Sequence, residues 1–427
     1  MLSVEQNELI TRIGPGTRMG SLLRRYWQPV AATEELGNRR TKRVRILGEN
    51  LVLFRSENGQ LGLVDELCPH RRVSLFYGIP VENGIKCPYH GWAFDGGGRC
   101  IEQPNEGGPR IGKVETSAYP VQEMGGLIWA YLGPQPVPLL PRFDGFVAEG
   151  AVRTISTAEI PCNWLQIMEN SVDPVHVETL HGTLIEFLER QRGLKVPHAR
   201  HHVRIGFDEF EYGIIKRRLL EGQTEEAQDW AVGHPLVFPQ MVAVGTAGGL
   251  WQQYAFEIRV PIDDTHTRHY WYSAFMPAKD AVVPERLLKS THWYEQPLVD
   301  EHGEYLMDFV PAQDVACWVT QGEIADRSRE KLGSSDVGII KFRRMLLREM
   351  EGAENGEDPI GTVRDAAENE FILLPMENGK YINADGFRRL MVTNFRNCPI
   401  VDDLISLFDQ TSEAEAVQRE KDKGAAA

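Results

Sequence analysis

Cys68-Pro69-His70-Arg71-Arg72 and Cys87-Pro88-Tyr89-His90-Gly91-Trp92, with sixteen residues between His70 and Cys87, decide how the chain is read. Each stretch follows a β-rich run and offers one soft thiolate and one imidazole from a tight loop. A two-iron, two-sulfur cluster of mixed ligation needs two thiolates on one iron and two neutral imidazoles on the other. Two loops side by side satisfy that need, with Cys68 and Cys87 on one iron and His70 and His90 on the other. Unrelated core cysteines and surface histidines are the plainer alternative, and zinc is the competing metal. Zinc sites usually take Cys with Cys in one half and His with His in the other, so unlike ligands within each loop favour the mixed cluster.

The surroundings read as a small β domain. Asn58-Gly59, between apolar runs at 51–55 and 61–64, is a hairpin signal, and Asn83-Gly84 and Asp95-Gly96-Gly97-Gly98 continue the turn-rich pattern. Residues 127–132 read as a last buried strand. Pro134, Pro136, Pro138 and Pro141 then stiffen the connection and place a domain boundary near 134–143. The first 36 residues read as a helical lead broken at Gly14-Pro15-Gly16. Past the boundary, 164–188 and 339–350 read as helical, and 203–220, 250–261 and 269–276 as strands. The expected class is α+β, a largely antiparallel sheet covered by helices. The expected division is 1–40 as a lead on the larger domain, 41–140 as the cluster domain, 141–409 as the larger domain and 410–427 as a frayed tail.

A second constellation lies in the 164–188 helix, where Asp173, His176 and His181 fall within nine residues. His176 is one turn beyond Asp173 and shares its face. His181 is five residues further, about 140° round an ideal helix, so both imidazoles reach one metal only if the helix is irregular or ends there. Two histidines and one carboxylate on one side of Fe(II) leave positions open for oxygen and substrate. Asp173 could supply the carboxylate, but Asp314 is the better choice. It sits in the apolar run Phe309-Val-Pro-Ala-Gln-Asp-Val-Ala-Cys-Trp-Val319, and a buried carboxylate is costly unless paired or metal-bound. Asn170, one turn before Asp173, could support the open iron position.

Composition bounds the partners. The 427 residues carry a formal charge of −15, which repels a phosphate backbone and argues against nucleic acid. Six cysteines are too few for a disulfide scaffold. No run approaches the roughly 18 apolar residues of a membrane span and no secretory leader is evident, so the expected location is the cytoplasm. Gly245-Thr-Ala-Gly-Gly249 lacks the spacing of a nucleotide-binding loop. In the run 212–219, alternation puts Lys216 and Arg218 on one face and Arg217 on the other. Lys216, Arg218 and His234 are candidate ligand-binding cations, with a solvated charge run as the plainer reading of the strand.

The cluster motif, with its flanking Arg71-Arg72 and Gly91-Trp92, resembles the Rieske iron–sulfur family over residues 43–133. It has no extra cysteine in either loop, which matches the oxygenase branch rather than the respiratory one. Over the whole chain the sequence resembles the terminal oxygenase subunits of the Rieske non-haem iron aromatic-ring-hydroxylating oxygenases, phthalate dioxygenase-like group. The matching stretches include Gly14-Pro-Gly-Thr17, Arg24-Arg-Tyr-Trp27, Val260-Pro-Ile-Asp-Asp-Thr-His266, Gln313-Asp314 and Ile324-Ala-Asp-Arg-Ser328. The resemblance implies a helix-grip catalytic domain, one [2Fe-2S] cluster and one mononuclear Fe(II) per subunit, with His176, His181 and Asp314 as iron ligands. It makes Asp173 the bridge between cluster and iron across a subunit boundary, in a trimer or hexamer. Electrons would come from NAD(P)H through a separate reductase or ferredoxin-type donor, since the chain shows no nucleotide-binding loop, with dioxygen as co-substrate. The substrate would be a small aromatic carboxylate, dihydroxylated on the ring or O-demethylated. A Rieske electron-transfer protein without oxygenase activity is the alternative, disfavoured because His176, His181 and Asp314 are all present.

Overall fold

Asn58-Gly59 closes a hairpin because Gly59 takes a φ of +90°, letting Glu49–Arg55 pair antiparallel with Leu61–Asp65. Thr41–Ile46 and Ala118–Tyr119 complete that four-stranded sheet. A second four-stranded sheet runs through Ile79–Val81, Gly84–Lys86, Ala93–Phe94 and Cys100–Glu102. The 68–72 stretch follows Leu61–Asp65, and the 87–92 stretch joins Gly84–Lys86 to Ala93–Phe94. The chain is described by a computed structural model at residues 2–106, 113–193, 200–245, 251–278, 281–377 and 384–411. All but two residues of the expected 410–427 tail lie outside the described residues, and 410–411 end a helix.

The helical reading of the lead fails at Trp27–Ala32, which is a strand paired with Leu127–Tyr131. All six of its residues are buried and Pro29 cannot donate within a helix, so a strand buried on both faces is the conformation that satisfies it. The lead therefore belongs to both parts of the molecule. Val4–Thr11 and Arg18–Leu23 pack against the helix Val337–Glu354 of the larger part, while Trp27–Ala32 joins a β-sheet with 121–131.

The larger part is built on an eight-stranded sheet in the order His202–Phe210, Gly213–Leu220, His234–Val237, Met241–Ala243, Gln252–Pro261, Thr267–Met276, Val152–Ile160 and Trp293–Glu295. Every neighbouring pair is antiparallel except the last, where Ile155 to Thr157 run parallel to Trp293–Glu295. The 203–220 run is a hairpin turning at 211–212. Helices Trp164–Val172 and Val310–Val319 pack on this sheet and on each other, and Val337–Glu354 lies behind Trp164–Val172. No helix among the described residues is long and apolar enough to cross a membrane.

Candidate metal centres and substrate cleft

The two cluster loops are closed by the same pair of backbone hydrogen bonds. Cys68 N donates to Val73 O at 2.9 Å and Arg72 N to Cys68 O at 2.8 Å; Cys87 N donates to Trp92 O at 2.7 Å and Gly91 N to Cys87 O at 3.0 Å. The turn needs a left-handed residue, Gly91 at φ +77° in one loop and Arg72 at φ +57° in the other. His70 and His90 therefore come from loops of one design, each with its imidazole at the tip. Their ring centroids are 4.5 Å apart, and Trp92 stacks on His70 at 4.4 Å with planes 5° from parallel. Cys68 and Cys87 are buried beneath them. Burial and the adjacent Cys87 thiol push Cys68 up to about 11, so Cys68 keeps its proton at neutral pH unless a bound metal displaces it, and two soft sulfurs beside two imidazoles are the donor set of a mixed-ligand cluster. No disulfide ties the loops.

The second site begins with a helix fastened by polar residues on its buried face. Asn163 caps Trp164–Val172 through Leu165 N, and its Nδ2 donates to Thr11 O at 3.0 Å and Asp264 O at 2.7 Å. Gln166 Nε2 donates to Trp318 O and Gly322 O, both at 2.8 Å. Glu169 accepts from Arg327 Nη2 at 2.7 Å and Arg343 Nε at 2.6 Å. The positions 163, 166 and 169 are three apart and share a face. The helix ends at Asp173 because Pro174 forces the preceding residue to extended backbone, φ −81° and ψ 116°. The Asp173 carboxylate then caps the next helical turn, accepting from Val175 N at 2.8 Å and His176 N at 3.3 Å.

His181 lies in a π-helical turn, Thr179–Thr183, directly after the short helix His176–Glu178. The wider turn absorbs the rotation that an α-helix would place between residues five apart, and such bulges recur at functional sites. Both imidazoles therefore reach Asp314, which projects from Val310–Val319. His181 Nε2 is 3.2 Å and His176 Nε2 3.9 Å from Asp314 Oδ1, and one ligand atom from each of the three lies within 4.8 Å of the others. His176 Nδ1 is 2.8 Å from the Asp173 carbonyl, and His181 Nδ1 is 2.8 Å from Gln313 Oε1. Both partners are acceptors, so both Nδ1 atoms carry protons and both Nε2 lone pairs face Asp314. Asp314 Oδ1 is itself buried without a donor. Burial opposes its charge, but His181 and His176, when protonated at Nε2, and Arg259 outweigh burial and hold the carboxyl below its usual range, a role that a bound cation takes over when the rings are neutral. Three lone pairs, one of them anionic, converge on a point that only a cation satisfies, and the donor set suits Fe(II).

A solvent-open cleft of about 910 Å³ leads to this point. Its wall includes Asn170, Lys216, Arg218 and His234. Lys216 is buried and donates to Ser171 O at 2.6 Å, and burial with the neighbouring Arg218 brings its ammonium down to about 8. Arg218 Nε is tied to Asp229 at 2.7 Å, and His234 Nε2 lies 2.8 Å from Glu377. Arg217, from the other face of the strand, lends atoms to the wall, but its guanidinium is turned to Asp208 and the carbonyls of 230–232. Sequence reasoning missed Glu257 and Arg259, which also line the cleft. Arg259 is almost fully buried, its Nη2 pairs with Glu257, and its Nε has no partner. The available signal was a charged i, i+2 pair inside an otherwise buried strand. Gln313 was likewise unread as the partner of His181.

Comparison with known proteins matches two segments of the chain to described families. Residues 26–120 match the Rieske [2Fe-2S] domain, and residues 284–374 match the family described as LigXa C-terminal domain like. The chain is 41% identical over 381 residues to the 5,5'-dehydrodivanillate O-demethylase oxygenase subunit of Sphingobium sp., covering 88% of this chain and 87% of that protein. It is 33% identical over 404 residues to the phthalate 4,5-dioxygenase oxygenase subunit of Pseudomonas putida, covering 85% and 89%. The fold resembles the solved structure of Pseudomonas putida CBB5 NdmA QL mutant with caffeine, with a TM-score of 0.60, 19% identity, and coverage of 82% of this chain and 99% of that one.

Proposed function

The chain belongs to the Rieske non-haem iron oxygenases as a terminal oxygenase subunit of the phthalate dioxygenase-like group, and we propose that its reaction is the O-demethylation of a methoxylated aromatic carboxylate. The observation that carries the reading is the convergence of His176, His181 and Asp314 at the end of a cleft walled by cations. Demethylation rather than ring dihydroxylation is favoured by the higher identity to the dehydrodivanillate O-demethylase subunit than to the phthalate dioxygenase subunit. The balance is aryl methyl ether, dioxygen, two electrons and two protons giving phenol, formaldehyde and water.

Cys68, Cys87, His70 and His90 would hold the cluster, and His176, His181 and Asp314 the mononuclear iron. Bound there, the cluster supplies electrons singly and the iron activates dioxygen. The chain's own residues do the rest. Lys216, with Arg218 and His234 beside it, attracts the substrate carboxylate and aims the methoxy end inward. Asn170 faces the open side of the triad. Asp173 keeps His176 pointed at the metal through its carbonyl and, in an assembled trimer, bridges to the cluster histidine of a neighbouring subunit. Electrons come from a separate reductase or ferredoxin in the cytoplasm.

The purified protein should be red-brown, with about three irons and two acid-labile sulfides per chain. A surrogate reductase and a panel of phthalates, phenoxybenzoates and methoxylated aromatic acids should yield formaldehyde from the last class. Diols from phthalates without formaldehyde would replace demethylation by dihydroxylation, and a colourless zinc protein would end the reading.

A further inference from the structure

The two imidazoles of the mononuclear site are oriented by different means. His176 Nδ1 donates to a carbonyl of its own segment, Asp173 O at 2.8 Å, so backbone sets its tautomer. His181 Nδ1 relies on a side chain from another helix, Gln313 Oε1 at 2.8 Å. Gln313 is fully buried, and its Nε2 donates to Met307 O at 2.7 Å. That second bond fixes which end of the amide faces the ring. Flipped, the amide would set N–H against N–H at His181 and carbonyl against carbonyl at Met307.

Met307 is followed by Asp308, which clamps two segments beside the cleft. Its carboxylate accepts from Arg192 Nη2 at 3.0 Å and Arg396 Nη2 at 3.2 Å. Arg192 ends the helix Leu184–Gln191 that continues the π turn of His181. Arg396 lies two residues after Asn394, a cleft-wall residue, and its guanidinium sits 4.6 Å from the ring centre of Phe309. These ion pairs are solvent-accessible and individually weak, whereas the Met307–Gln313–His181 chain is part-buried and passes through the fully buried Gln313. A movement of the clamp carries the Met307 carbonyl with it, because the two residues are consecutive.

We propose that Gln313 is a positioning residue that sets the tautomer and ring plane of His181, and that it makes both depend on the Asp308 clamp beside the cleft. The inference rests on His181 being an iron ligand. It assigns His181 as the ligand whose geometry responds to the clamp beside the cleft, while His176 stays fixed by backbone.

The test measures Fe(II) affinity of the mononuclear site in the full chain by chelator competition, with the electron paramagnetic resonance of its nitric oxide complex as a second readout while the cluster is held oxidised. Gln313→Met keeps length and burial but removes the acceptor, and should weaken Fe(II) binding about 10- to 100-fold and alter the spectrum. Asp308→Asn, at a solvent-accessible position, should weaken it about two- to fivefold in the native chain. The same change should have no effect once Gln313→Met is present. Wild-type affinity and spectrum in Gln313→Met would overturn the positioning role. An undiminished Asp308→Asn effect in the double variant would overturn the coupling. Should Gln313→Met not fold, Asp308→Asn with unaltered affinity and spectrum would still do so. Full Fe(II) affinity in His181→Ala would instead remove the ligand assignment beneath both.

Discussion

Glu169 lies at the centre of a buried charge cluster, and replacing it with Gln separates structural from rim electrostatics at the iron site. Its carboxylate takes bonds from Arg327 Nε at 2.9 Å and Nη2 at 2.7 Å and from Arg343 Nε at 2.6 Å, all between buried groups. Arg327 is otherwise held by Asn7 and Ala325, and Arg343 by Glu330. Burial opposes the charge of Glu169, but Arg327 and Arg343 outweigh it and keep the carboxyl below its usual range. Removing one partner of such a pair leaves an uncompensated buried charge and costs about 3–5 kcal/mol. A unit of this size unfolds with an entropy of roughly 0.6–0.9 kcal/mol/K, so the melting temperature should fall by about 3–8 °C. Because the folded pKa is depressed, the contribution is complete above the unfolded carboxylate value and fades as pH falls below it, so the deficit should be equal at pH 6 and pH 8 and shrink below about 4. Glu330→Gln is the control, since Glu330 is partly exposed and touches only Arg343 within the cluster. Calorimetry should show a markedly smaller loss there, and chelator challenge should release mononuclear iron faster only from Glu169→Gln, because Asn170, Asp173 and His176 come next on the same segment. Equal losses for the two variants would refute the reasoning.

The same geometry sets three further outcomes. Asp173→Asn should keep the cap over Val175 and His176 and both metals but slow electron transfer, whereas Asp173→Ala should also lose about 1 kcal/mol of local stability; full turnover in the Asn variant would remove the bridge assignment. Lys216 loses its proton near pH 8, so kcat/KM for a carboxylate substrate should decline as pH rises through about 8, and Lys216→Met should raise KM roughly 10- to 100-fold and abolish that decline. A decline that persists in Lys216→Met would place the titrating group elsewhere. Arg72 occupies the left-handed turn position that Gly91 fills in the sister loop, so Arg72→Gly should raise the melting temperature of the cluster domain by an amount worth about 1 kcal/mol without loss of colour. A lower melting temperature would show that the Arg72 guanidinium, bonded to Leu67 O at 3.3 Å, outweighs the strain.

What was legible in the sequence is local in sequence. The α+β class, the β domain around the cluster loops and the antiparallel core of the larger domain were read from turns and alternation, and the fold carries all of them. The Cys and His proposed as ligands in each loop sit within four residues, and the structure brings the loops together. His176 and His181 demanded an irregular helix; the π turn at Thr179–Thr183 supplies it, although no residue there announces one. What failed depends on distant contacts. Trp27–Ala32 became a strand because Leu127–Tyr131 lies beside it, 95 to 104 residues away along the paired register. Gln313 acquires its role from His181, 132 positions earlier, and Arg259 from a cleft assembled by several strands and helices. One rule would have narrowed that gap. A polar residue recurring every third position on an apolar helix must find partners or cost the fold several kcal/mol. Asn163, Gln166 and Glu169 form such a row, so their partners had to exist somewhere in the chain. Arg327, inside the motif Ile324-Ala-Asp-Arg-Ser328, and Arg343 are the cations that neutralise the one charged member. Partner identity was beyond the pattern, but the existence of a buried cluster beneath the iron-site helix was already required by it.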